Sequence, residues 1–186
     1  MSVLDGRFLV NADRDALKGR VEMNFDNILF SRRIRQNHAL EHATITILGR
    51  MIPSLSVSAR SSSDGFIIFG DVDLGLLHQA LDEALKRLQA GEAELAIHPN
   101  CGTNLAVGVS LITLGTLLGM TSNQTRTRVA TAAASSLAGW AAARPVGEYV
   151  QRHFTTLPDL QGVRVTEIKR RKFFGFTLID VRTVQE

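Results

Sequence analysis

Cysteine is nearly absent from this 186-residue chain. The single one, Cys101, leaves no intrachain disulfide to form and fits a reducing compartment. Aromatic residues are sparse too: one Trp and one Tyr stand beside nine Phe, which offers little to stack on nucleic-acid bases. The first residues show no basic stretch leading into an apolar run, so no secretory leader is expected. Between residues 95 and 125 there is no Asp, Glu, Lys or Arg at all. The net charge of +3 is a mild bias, gathered in Arg32-Arg33-Ile34-Arg35 and Lys169-Arg170-Arg171-Lys172. Such clusters read first as solvated turns and second as contacts for anionic lipid headgroups. Membrane lipid is therefore the expected partner, and nucleic acid is not.

The uncharged stretch is the first positive feature. Its apolar part, 102–120, would reach roughly 28 Å as a helix, close to the hydrocarbon thickness of a bilayer. Gly115 and Gly119 form a small-x-x-x-small pair of the kind that lets helices approach closely. After the polar turn 121–128, an alanine-rich run from Val129 to Ala143 follows. It attains spanning length only if Arg144 snorkels or the helix continues to Tyr149. Trp140 and Tyr149 are candidate interface anchors. The expectation is a two-helix transmembrane hairpin, 102–150; the alternative is a buried hairpin in a soluble core. With the polar parts on one side and most of the Lys and Arg in them, both termini are placed in the cytoplasm of a bacterial inner membrane. Small-residue helix faces of this kind commonly need partners, either a second copy of the chain or another membrane protein.

The most pointed chemistry lies upstream, in His38-Ala39-Leu40-Glu41-His42. On a helix, positions i and i+4 share a face, so both imidazoles can reach one metal ion. Glu41 is close enough to act on a metal-bound water, and H-x-x-E-H is the order of the inverted zinc proteases. A further ligand must come from elsewhere. The segment His98-Pro99-Asn100-Cys101-Gly102-Thr103-Asn104 offers an imidazole and the lone thiol. Cys101 is expected at a helix N-terminus, where free N–H groups favour the thiolate. His38, His42, His98 and Cys101 could close a structural zinc site. Alternatively, three of them could bind and leave a position open to water, the catalytic arrangement. Asn100, Gly102, Thr103 and Asn104 are candidates for oxyanion or structural support. Plainer readings remain: a hydrogen-bonded helix face for the histidine pair, and a small, partly buried apolar residue for Cys101. Metal-free Cys–His chemistry is a third.

Periodicity supplies the rest. A helix is expected over 27–50, carrying the histidines. Strands at 55–59 and 66–69 frame an Asp64-Gly65 turn. Asp73 caps an amphipathic helix over 74–89, with Leu77, Leu81, Leu85 and Leu88 on one face. A short strand over 94–97 would deliver His98, and strands at 162–168 and 173–181 would form a hairpin around the basic turn. The fold class is thus α+β: a small mixed sheet domain split by the apolar hairpin. The divisions are an N-terminal arm, 1–26; the first part of the domain, 27–101; the hairpin, 102–150; and a completing β-hairpin, 151–186.

The blocks Arg35-Gln-Asn-His-Ala-Leu-Glu-His-Ala-Thr44, His98-Pro-Asn-Cys-Gly-Thr-Asn104 and Gln151-Arg-His-Phe-Thr-Thr-Leu-Pro-Asp-Leu160 resemble an uncharacterised family of bacterial membrane proteins, known only as a domain of unknown function. The resemblance covers about 30–182. It implies a membrane location and a recurring histidine–cysteine constellation, but no reaction. Similarity to the inverted zinc proteases stops at five residues, with no Glu at the downstream distance those enzymes use. Two functions follow as expectations. One is a zinc-dependent, peptidase-like hydrolase with Glu41 as general base. The other is a non-catalytic membrane accessory or assembly subunit with a structural His/Cys cluster.

Overall fold

The computed structural model of the protein describes residues 31–121 and 125–185, so the arm expected over 1–26 lies outside the described residues. Within them there are four α-helices and four strands: α1 (Arg32–Met51), β1 (Ser58–Ser62), β2 (Gly65–Phe69), α2 (Leu74–Gln89), α3 (Gly102–Gly119), α4 (Thr125–Val150), β3 (Val163–Phe173) and β4 (Phe176–Gln185). A 3₁₀ turn, Ala93–Ala96, precedes α3, and a π-helical turn, Gln151–Thr155, ends α4.

The strands form one antiparallel sheet in the order β1-β2-β4-β3, joining the two hairpins through β2 and β4. Register places Phe66 opposite Val181 and Ile68 opposite Ile179. Because alternate residues share a face, these four side chains point the same way. All are buried, in one core with Leu40, Ala43, Ile47 and Leu48 of α1 and Leu77, Leu81 and Leu88 of α2. α2 has the bounds its leucine period and cap predict, and the Asp73 side chain accepts from the Leu76 N–H at 3.0 Å. α1 is more enclosed than an amphipathic helix: ten of its residues are buried, including Gln36, Asn37, Glu41, His42 and Thr44. Burying so many polar side chains is tolerable only with partners in place. Gln36 donates to the Asp159 carbonyl (2.7 Å), while Asn37 donates to that of Ser62 (2.8 Å) and accepts from Thr183 (2.7 Å).

Several boundaries differ from expectation. β1 lies three residues later than expected, so that Ser58–Ser62 pairs with β2 and Ser63-Asp64 makes the two-residue turn. The basic run Lys169-Arg170-Arg171-Lys172 belongs to β3 rather than to a turn; the chain reverses at Phe174-Gly175, between the paired Phe173 and Phe176. Both turn residues have positive φ (46° and 83°), the combination a tight two-residue hairpin demands. The strand expected over 94–97 is instead the 3₁₀ turn. Among the described residues it has no strand beside it, and its last residue, Ala96, offers its carbonyl to His42.

α3 and α4 pack antiparallel. A Cβ on Gly139 would lie 2.6 Å from the Leu111 carbonyl oxygen, and one on Gly115 2.8 Å from the carbonyl carbon of Ser135. Glycine at these crossings lets the two backbones touch. The expectation of two spanning helices is corrected: among the described residues only α3 is long and apolar enough by itself to cross a membrane, and α4 returns beside it without meeting that measure. α4 runs from Thr125 through Pro145 to Val150 and carries Arg126, Arg128, Arg144 and Glu148, which lower its apolar character. Along the α3 window only 11% is buried, with Leu105, Val109, Leu114, Leu117 and Leu118 exposed.

Candidate metal centre

Three elements meet around the middle of α1. His38 and His42 stand one turn apart, ring centroids 4.2 Å from each other. Cys101 forms the N-cap of α3. A ligand atom from each of the three lies within 4.8 Å of the other two, and His38 Nε2 is 3.4 Å from Cys101 Sγ.

What orients the imidazoles is backbone. His38 Nδ1 lies 2.9 Å from the Thr155 carbonyl, offered by the π-helical turn. His42 Nδ1 lies 2.6 Å from the carbonyl of Ala96, the last residue of the 3₁₀ turn. A carbonyl can only accept, so both Nδ1 atoms carry the proton, and each Nε2 lone pair is left for the centre. Such outer-shell carbonyls are the usual means of fixing the tautomer of a metal-binding histidine. The 3₁₀ and π-helical turns thus have one role, each presenting a carbonyl to a ring.

Electrostatics act in the same sense. Burial holds His42 below its usual range, which keeps the imidazole neutral and its lone pair available. For Cys101, burial alone would push the thiol up. The hydrogen bond with His42 and the Thr103 N–H donating to Sγ at 3.4 Å outweigh it, leaving the thiol below its ordinary value. Burial raises the Glu41 carboxyl, opposed by the hydroxyl that Ser61 of β1 donates to its Oε2.

His98 is half-buried, its ring centroid 5.7 Å from that of His42, and its Nδ1 accepts from the Asn100 N–H at 3.3 Å. It neighbours the three-residue cluster without joining it. The supporting residues divide. Thr103 spends its N–H on the Cys101 sulfur. Asn104 donates to the Pro99 carbonyl (2.8 Å) and accepts from Gln151 (2.7 Å), bracing the loop. Asn100 and Gly102 line the cleft directly. Gln151, fully buried, also accepts from the His98 N–H (3.0 Å) and donates to its carbonyl (3.2 Å), so it anchors this loop to the end of α4. Neither Gln151 nor Ser61 is singled out as a site residue by the sequence reading. Gln151 heads one of the blocks on which the family resemblance rests, which is a usable signal; Ser61 gives none.

The cluster opens into a cleft of about 700 Å³ between α1, β1 and the 98–103 segment, with Glu41, Ser61, His98 and Asn100 on its walls. Two imidazoles and a thiol offer potential metal ligands, with a buried carboxyl and an open cleft beside them.

Comparison with known proteins agrees on kinship without adding a reaction. A protein of Picosynechococcus sp. (strain PCC 7002), described as uncharacterized, is 36% identical over 135 residues, covering 66% of this chain. The chain spans 65% of that relative's length. No solved structure matches. The model of the family described as a domain of unknown function, DUF6391, matches residues 33–168, which include both histidines, Glu41, Cys101 and both long helices; the chain belongs to that family.

Proposed function

We propose that the chain is a membrane-anchored, metal-dependent hydrolase with His38, His42 and Cys101 as ligands and Glu41 as general base. The observation that carries this reading is the convergence of three ligand atoms within 4.8 Å, with both imidazole tautomers set by backbone carbonyls. One edge of the cluster has the spacing that zinc needs. Tetrahedral bonds of about 2.0–2.3 Å separate ligand atoms by about 3.5 Å, and His38 Nε2 stands 3.4 Å from Cys101 Sγ. A zinc ion with three protein ligands keeps a place for water and lowers its pKa to about 7. Glu41, held by Ser61 and lining the same cleft, would take the proton of such a water. Asn100 and Gly102, both lining the cleft, are the candidate donors for a developing oxyanion, since the Thr103 N–H and the Asn104 side chain are committed elsewhere.

α3 supplies the anchor, with α4 packed against it through the glycine crossings. In this reading the centre would lie at the membrane surface, because Cys101 caps the helix that would enter the bilayer. With α4 returning beside α3 and β4 pairing with β2, both termini would lie on one side, assigned to the cytoplasm, where most of the Lys and Arg would then be.

Metal content of protein purified in detergent without chelator tests the reading. One equivalent of zinc is expected in the wild type, lost in His42→Ala and in Cys101→Ala, and kept in Glu41→Gln with hydrolysis abolished. A metal-free wild type overturns it. The proximity of His98 favours a second reading, a closed four-ligand structural site. That reading requires His98→Ala to lose the metal, whereas the hydrolase reading requires its retention.

A further inference from the structure

A second recess lies on the other side of Cys101. It measures about 660 Å³ and opens between the first turn of α3 and the last third of α4. Leu105, Trp140 and Ala141 contribute to its apolar wall; Asn100, Asn104 and Arg144 provide polar groups. Cys101 lines both this groove and the cleft of the metal centre, so one residue is common to the two.

The contents of the groove are unusual for water. Leu105 and Trp140 are 71% and 66% exposed, on a helix pair whose apolar side chains have little inside the molecule to pack on. The Arg144 side chain is 77% exposed and its Nε donates to Glu148 at 2.8 Å. Its two terminal nitrogens have no partner among the described residues. Arg144 sits one turn beyond Trp140, so cation and indole share a face of α4. Gly147 abuts Asn104 and Gly108 abuts Ala143, which sets Arg144 near the entry end of α3 rather than deep in the span. An apolar wall with a guanidinium at its mouth, on an apolar helix of spanning length, is complementary to one kind of molecule. It matches an amphiphile with an acyl chain and an anionic head. Arginine's planar fork suits a phosphate better than any other exposed cation would.

We propose that this groove binds an anionic phospholipid, chain along Leu105 and Trp140, phosphate on Arg144, and that lipids or lipid-linked molecules are the substrate class brought to Cys101 and the metal centre. The substrate role rests on the hydrolase reading above; the binding role rests only on α3 entering the bilayer.

Trp140 is the sole tryptophan in the chain, so its fluorescence reports on this groove alone. The full-length protein is reconstituted in phosphatidylcholine vesicles carrying a minority of brominated lipid, either phosphatidylglycerol or phosphatidylcholine. Wild-type quenching is expected to correspond to about five-fold enrichment of the anionic lipid at Trp140, the scale of one membrane-surface cation. Arg144→Gln should bring the enrichment close to one, while Arg126→Gln, at the opposite end of α4, should preserve it. Equal quenching by both lipids, or enrichment unaffected by Arg144→Gln, overturns the proposal. Absence of quenching by either lipid overturns it as well and removes the membrane anchor. Zinc content measured on the same samples shows separately whether the metal centre stands.

Discussion

α1 and α3 are helices of nearly equal length in one chain, and they bury opposite kinds of residue. α1 encloses ten side chains, half of them polar, each held in a crowded interior. α3 buries only Gly108 and Gly119 and turns its leucines and valines outward. The first pattern suits folding in water, where apolar surface is driven inside and every buried polar group must find a partner. The second suits a medium as apolar as the side chains themselves, where close backbone packing replaces the hydrophobic drive. The candidate centre lies where the two regimes join, with two ligands from the enclosed helix and one from the cap of the exposed one.

This contrast can be broken at three places. Leu40, fully buried in the core, should matter most. Leu40→Ala is expected to cost about 2–5 kcal/mol in denaturant unfolding of the sheet-and-helix part. The helix pair should stay folded in detergent; if both parts melt together, the division is wrong. Next is Gly115→Ala, whose methyl would meet the Ser135 carbonyl. A loss of about 1–3 kcal/mol is expected for separation of α3 and α4, followed by Trp140 fluorescence in a detergent titration. Unchanged stability there would mean that the two helices are not held by backbone contact. The smallest effect, of opposite sign, belongs to Gly49→Ala near the end of α1, where an added Cβ meets nothing within 4 Å. Thermal unfolding should show a gain of about 0.5–1 kcal/mol, because alanine loses less entropy in a helix than glycine.

Much of the fold is legible in residue order, and the reasons are local. Asp73 and the leucines at 77, 81, 85 and 88 delimit α2 because capping and a 3.6-residue period act within a few turns. The five-residue histidine motif marks a helix face for the same reason. The turn at Phe174-Gly175 escaped because four consecutive cations look like a solvated loop, whereas cross-strand pairing with β4 makes them a strand. Thr155 and Ala96 contribute main-chain carbonyls, which any residue has, so nothing in their identity marks them. Ser61 is visible only once β1 lies against α1.

By itself, residue order determined the helical spacing of His38, Glu41 and His42, the capping position of Cys101, and an uncharged helix long enough for a bilayer. Each is set by interactions between neighbours along the chain, or by the composition of one segment. Tertiary structure alone decided that Cys101 rather than His98 completes the cluster, which nitrogen of each histidine faces it, and that a second groove shares the same cysteine. Those outcomes depend on contacts between residues 54 to 117 positions apart, such as His42 with Ala96 and His38 with Thr155. Only packing of the whole chain brings such residues together.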